Sequence, residues 1–229
     1  HCISSAASDV YKRQALLCRM PECLISTYQD NMPLAAELKA DFEWAKSIAV
    51  GPGLSMNVAA AEITRCVLER DDKVRILDAD ALNIIAGEHI DYKGSREGQI
   101  IITPHIMEMS RLTGKTVADI KEHMIESAKE YAIQHSCICI LKDARTVVTD
   151  GQKVYINCTG NDGMSTGGCG DVLTGLIAGM TAMGLDAFEA ACLSVYVHGK
   201  AGDYAASGKG RAGMTAADIS EAIAYVLKR

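Results

Sequence analysis

Long apolar runs, a surplus of basic residues and paired cysteines are all missing from this sequence, and each absence removes a class of function. No apolar stretch approaches the roughly 20 residues that cross a bilayer, so no membrane partner is expected. The formal net charge is −6, from 23 Lys and Arg against 29 Asp and Glu, and nucleic acid, which needs a basic face, is not expected either. A small molecule is the expected partner. Nine cysteines stand at 2, 18, 23, 66, 137, 139, 158, 169 and 192 without a CxxC pair, which fits neither a disulfide framework nor a zinc site and points to a reducing cytoplasm. A Walker A loop is absent, no GxGxxG follows the first strand, and there is no internal repeat, linker or low-complexity tract. What remains is a chain of 229 residues with 48% apolar side chains, enough to bury one substantial core. Residues 1–14, HCISSAASDVYKRQ, show neither a helical nor a strand period and no signal-peptide apolar core. They read as a tag or adaptor-derived segment and are set apart from a single domain expected over 15–229.

The rest alternates between two hydrophobic periods. LISTY (24–28), SIAV (47–50), VRIL (74–77), QIII (99–102) and CICIL (137–141) have the length and composition of buried strands. Between them run helical patterns, one through Leu34, Leu38, Phe42 and Ala45, one through Val58, Ile63, Val67 and Leu68, and one continuous from Val117 to His135. Strands alternating with helices imply a mainly parallel sheet covered on both faces, an α/β/α sandwich. RTVVT-DG-QKVYIN predicts an antiparallel β-hairpin with a type I′ turn at Asp150 and Gly151. From Asp171 onward the pattern is helical, and Thr215 and Asp218 have capping-box spacing. The four prolines, 21, 33, 52 and 104, all fall at element boundaries.

In such a sheet ligands sit beyond the carboxyl ends of the strands. The residues placed there are Gly51-Pro52-Gly53 with Leu54 and Ser55, Asp78 to Asp80, the run TPHIMEMSRLTG that holds His105, and KDART, which is Lys142, Asp143, Ala144, Arg145 and Thr146. Singly, each has an ordinary structural meaning: a turn, a helix cap, a helix-start histidine, solvated strand-end charges. Glu108 and Arg111 could orient a pocket or simply pair along one helix. GNDGMSTGGCGD (160–171) is harder to read that way. Gly163, Gly167, Gly168 and Gly170 lie within eight residues and lead into a helix, whose first amides are unpaired and carry the positive end of its dipole. That is an anion site, for phosphate in particular, in which glycine removes the Cβ atoms that would keep an oxyanion away. Asp171 closes the run, and the same field should favour its charged form. It is either the cap of a helix starting at Val172 or a base that accepts a hydroxyl proton as a phosphoryl group arrives.

GPGL, the TPHxxEMxRLTG pattern, the strand-end lysine with a threonine four residues on, GMSTGGCGDVLTGLIAGMTAMGLDAFEAA and VYVHGKAGD together resemble the ADP- or ATP-dependent NAD(P)H-hydrate dehydratases, from about Pro21 to the C-terminus. The resemblance implies a ribokinase-like fold and repair of hydrated nicotinamide cofactors. In that reaction the C6 hydroxyl of the S epimer is phosphorylated, and phosphate then leaves to restore NADH or NADPH. Carried over by position, Asp171 is the catalytic base, and Gly53, His105 and Asp171 contact the hydrated dinucleotide. Lys142, Asp143, Ala144, Arg145 and Thr146, with Gly167, Gly168 and Gly170, hold ADP or ATP, with Mg²⁺ bridging its phosphates. His198 and Asp203 match family positions without an assigned role, and Asn83 and Asp80 are weaker candidates. The resemblance also implies a homo-oligomer, a tetramer. Two positions depart from the pattern, Asp143 where glycine is usual and Cys169 where serine is common. The family's glycine-containing opening strand has no counterpart before Pro21, so an N-terminally truncated sheet is expected. The competing expectations are a ribokinase-fold kinase of a small alcohol and a nucleotide-binding remnant without turnover.

Overall fold

The structure, a computed structural model, describes residues 17–18, 20–24, 34–94 and 99–228. Within them six strands form one sheet in sequential order: β1 (Ser47–Val50), β2 (Val74–Leu77), β3 (Ile100–Ile102), β4 (Ile138–Leu141), β5 (Val147–Thr149) and β6 (Val154–Ile156). β1 to β4 are parallel, with Ala49 beside Ile76, Ile76 beside Ile101, and Ile101 beside Ile138, and β5 and β6 return antiparallel. The expected strand at 24–28 lies outside the described residues apart from Leu24, and so does Pro33.

Alternation along the strands sorts the core into two layers. Leu77, Ile100, Ile102, Cys139 and Leu141 face one side, where they meet α1 (Leu34–Trp44), α2 (Val58–Leu68), α3 (Ala79–Gly87), α4 (Ile106–Thr113), α5 (Val117–Glu122) and α6 (Met124–His135). Ile76, Ile101, Ile138, Ile140 and Val148 face the other, against Leu173 and Ile177 of α7 (Cys169–Ala182) and Ala191 and Val195 of α8 (Ala187–Lys209). Because both faces are covered, β3 and β4 are buried at every residue, which is why they read as unbroken apolar runs. A smaller cluster of Cys169, Ala201, Ala205, Met214, Ile219 and Ala222 packs α9 (Ala216–Leu227) onto α8 and the start of α7. The three-layer α/β/α sandwich with its hairpin is therefore as expected.

Two local expectations are corrected. The helix from Val117 to His135 is two helices, broken at His123 (φ −127°, ψ 50°). The break lets Ile120 on one piece and Ala128, Tyr131 and Ala132 on the other all reach the core. The hairpin is closed by four residues, not by a type I′ pair, since Thr149 is in register with Val154 and Asp150 has no positive φ. Side chains dictate this turn: Asp150 Oδ1 accepts from the Gln152 and Lys153 amides, and Thr149 Oγ1 donates to the Lys153 carbonyl. The Thr215–Asp218 capping box forms as its spacing predicts, with the Asp218 carboxylate accepting from the Thr215 amide and hydroxyl.

Candidate active site at the carboxyl ends of the strands

β1 is followed by Gly51, whose φ of +123° and close approach to the residue after β2 both require glycine: a Cβ there would stand 1.8 Å from the Asp78 carbonyl oxygen. Gly53 (φ +63°) meets nothing within 4 Å of its missing side chain, so it borders open space, and the Ser55 amide donates to Asp80 Oδ2 at 2.7 Å. After β2 comes Asp78, only 1% exposed. It occupies the N-cap position of α3 without capping it. Its Oδ1 instead accepts from Lys142 Nζ at 2.8 Å, and its Oδ2 from Thr174 Oγ1 at 2.7 Å. Burial by itself would push this carboxyl up, but the Lys142 ammonium and the hydrogen bonds from Lys142 and Thr174 outweigh it and hold Asp78 below the usual carboxylate range.

Past β3, His105 caps α4. Its Nδ1 accepts from the Met107 and Glu108 amides, both at 3.1 Å, while Glu108 Oε2 accepts from the His105 amide at 2.8 Å. With Nδ1 committed as an acceptor, the ring proton sits on Nε2, 3.4 Å from Glu108 Oε1, in a side chain that is half exposed. Burial raises the Glu108 carboxyl, against the pull of the His105 amide and of Lys142. The ends of β3 and β4 are laced together where the Lys142 amide donates to the Pro104 carbonyl at 2.8 Å, next to a parallel bridge between His105 and Lys142. Asp143, Ala144 and Arg145 follow as an exposed loop, closed where the Asn157 amide donates to the Thr146 carbonyl at 2.9 Å.

The glycine-rich run serves two purposes. Gly163 is a packing glycine, because a Cβ there would meet the Arg211 carbonyl oxygen at 2.4 Å. Across from it, Gly199 and Gly202 of α8 let Thr159 and Met164 press against that helix. Asp203 Oδ2 accepts from the Gly160 amide and its Oδ1 from Asn161 Nδ2, both at 3.1 Å, which ties the run to α8. The second half is the open cradle. Gly167 meets nothing within 4 Å, Gly168 turns at φ +88° to start α7, and a Cβ on Gly170 would lie 3.5 Å from Lys142 Nζ and 3.8 Å from Asp78 Oδ2. The first turn of α7 and the Lys142 ammonium therefore meet at Gly170, next to the open space at Gly167, a setting that suits the phosphates of a nucleotide.

Asp171 is the third residue of α7, inside its first turn. It is not a cap, since that position belongs to Gly168. Its carboxyl is pushed up by partial burial and then by the negative charge of Asp78, with Lys142 opposing. Burial and Asp78 thus act against the charged form that the helix field is expected to favour. Lys142 thus meets Gly170 beside Asp171, and His105 and Gly53 follow strands at the same, carboxyl end of the sheet. Arg111 is not paired with Glu108; its Nη1 donates to Asn83 Oδ1 at 2.7 Å. The two line a cavity of about 470 Å³ with Met56, Ala86 and Gly87. Thr174 carried no sequence signal, since its partner Asp78 lies 96 positions away. His198 is buried against the Cys169 backbone, and burial lowers its pKa to about 4.

Known proteins give this geometry its family. The bifunctional NAD(P)H-hydrate repair enzyme Nnr of Moorella thermoacetica is 45% identical over 183 residues, which are 79% of this chain and 34% of that protein. The chain thus spans about a third of the length of that relative. The ADP-dependent (S)-NAD(P)H-hydrate dehydratase of Neisseria meningitidis serogroup B is 31% identical, with 94% of this chain and 71% of that protein covered. Among solved structures, the Bacillus subtilis ADP/ATP-dependent NAD(P)H-hydrate dehydratase co-crystallised with ATP and Mg²⁺ superposes with a TM-score of 0.79 at 30% identity, covering 93% of this chain and 74% of that one. The fold is the ribokinase-like one. The family model described as NAD(P)H-hydrate dehydratase matches residues 5–225, a span that begins inside the first fourteen residues. With nearly the whole chain matched and the cradle, lysine and aspartate in one place, the chain belongs to the NAD(P)H-hydrate dehydratase family.

Proposed function

We propose that this chain dehydrates the S epimer of NAD(P)H hydrate back to NAD(P)H at the expense of ADP or ATP. The observation that carries the reading is the meeting of Lys142 with the first turn of α7 at Gly170, next to Asp171. Gly167, Gly168, Gly170 and Lys142 receive the donor phosphates, and the Lys142–Thr146 loop borders the rest of the nucleotide. Gly53 and His105 border the hydrated dinucleotide. Asp171 takes the proton of the C6 hydroxyl as the phosphoryl group arrives, and its raised proton affinity suits a base at neutral pH. Loss of phosphate then restores the ring double bond. Mg²⁺ would enter with the donor and neutralise phosphate charge, beside the first-turn amides of α7 and Lys142.

We further place the protein in the cytoplasm and give it no nucleic-acid or membrane partner. Eight free cysteines among the described residues and the net charge of −6 support this, and no described helix is long and apolar enough to cross a membrane. Self-association, as a tetramer, is supported by exposed apolar side chains along α8 and α9, including Tyr196, Tyr204 and Tyr225.

Hydrated cofactor supplied with Mg²⁺ and either nucleotide tests the activity. Reduced-nicotinamide absorbance and free phosphate are expected, whereas a stable phosphorylated product would mean a kinase. In Asp171→Asn turnover should fall by about 10³-fold, within the range for loss of a general base, while nucleotide affinity persists. Undiminished turnover would remove Asp171 from that role.

A further inference from the structure

Asp78 stands where a helix cap belongs and does something else. Its backbone is extended ahead of α3 (φ −139°, ψ 166°), yet no amide of α3 is capped by its carboxylate. The carboxylate joins the end of β4, through Lys142, to the second turn of α7, through Thr174. Its side chain is 2% exposed and that of Lys142 21%, so the ammonium is the member of the pair that reaches solvent, and it does so next to Gly170. A buried ion pair adds little to stability, because desolvation offsets the attraction, so its presence here calls for another purpose.

We propose that Asp78 is the positioning residue of this site: it fixes Lys142 Nζ over Gly170, where the donor phosphates arrive, and gives Asp171 a permanent negative neighbour. This rests on reading Gly167 to Asp171 as the donor subsite. One of the three Lys142 N–H donors is committed to Asp78, and the other two are left for incoming oxygens. The charged groups acting on Asp171 are Asp78 from the end of β2, Lys142 from the end of β4 and Asp80 from α3, with Asp78 the strongest of them. Glu108 of α4 interacts by charge with Lys142, with Asp78 and with His105, which caps that helix.

Asp78→Asn removes the charge and nearly keeps the shape. Two measurements that need no turnover decide the matter: a carboxyl NMR titration of Asp171, and calorimetric affinity for MgADP. The Asp171 midpoint should move to lower pH, and the MgADP dissociation constant should rise about tenfold, the loss of one charge-aided contact. An unmoved midpoint or an unchanged affinity overturns the proposal. If the dehydratase reading alone is wrong, the wild type makes no reduced nicotinamide and both shifts persist. Should the variant not fold, the wild type decides, since Asp78 must stay ionised throughout the range in which Asp171 titrates. Protonation of Asp78 first would overturn the proposal.

Discussion

Gly199 shows what one missing methyl group does here. A Cβ on it would stand 2.1 Å from Thr159 Oγ1 and 2.8 Å from the Thr159 carbonyl carbon, and no rotamer relieves a clash with backbone. Gly199→Ala should therefore cost ~2 kcal/mol and lower the melting temperature, because the segment leading to the cradle is pushed off α8. A melting curve unchanged from wild type would contradict this. The same contact explains how far single residues were legible. Density of glycine marked the right segment, but sequence does not tell whether a ligand or another stretch of chain comes close. Gly163 answers to Arg211, Gly168 to Ala216 and Gly170 to the Lys142–Asp78 pair, while Gly167 borders open space. Asp171 was legible as an acid at a helix start. Its raised proton affinity was not, because that depends on Asp78, 93 positions earlier, and on burial that exists only in the fold.

Among the elements, α8 carries the clearest linkage to pH. His198 lies buried in its middle, and burial, reinforced by Lys142, lowers its pKa from the ordinary 6.5 to about 4. The unfolded chain therefore binds a proton between those values that the folded chain refuses. The stability contributed is whole above pH 6.5 and is lost as pH falls towards 4, by up to ~3 kcal/mol at 1.36 kcal/mol per pKa unit. Denaturant unfolding at several pH values should show this loss in the wild type and a shallower one in His198→Gln; identical slopes would exclude His198 as the cause. Element type was read well where burial on both faces left unbroken apolar runs, as in β3 and β4. It was read less well where side chains rewrote the backbone. Asp150 and Thr149 built a longer turn than Asp-Gly implies, and His123 broke a helix whose apolar period ran on unbroken.

At the scale of the whole molecule, α8 and α9 form an outer layer that still shows apolar surface. Leu193, Tyr196, Tyr204, Tyr225 and Leu227 are exposed there, and the Tyr204 and Tyr225 rings stack with centroids 5.2 Å apart. A stacked aromatic pair in a run of exposed apolar side chains is a surface that favours contact with another copy. Sedimentation of the 24.5 kDa chain should give a multiple of that mass, and Tyr204→Glu with Tyr225→Glu should shift it towards the monomer. A wild type that sediments as a monomer at every concentration would contradict this.

The lacing between β3 and β4 reaches further than sheet geometry. His105 and Lys142, which the proposed function assigns to acceptor and donor, are joined through the amide–carbonyl bond from Lys142 to Pro104. Under that proposal the two guests would lean on the same few atoms of main chain. Any change that one made in the other's affinity would then be equal in both directions.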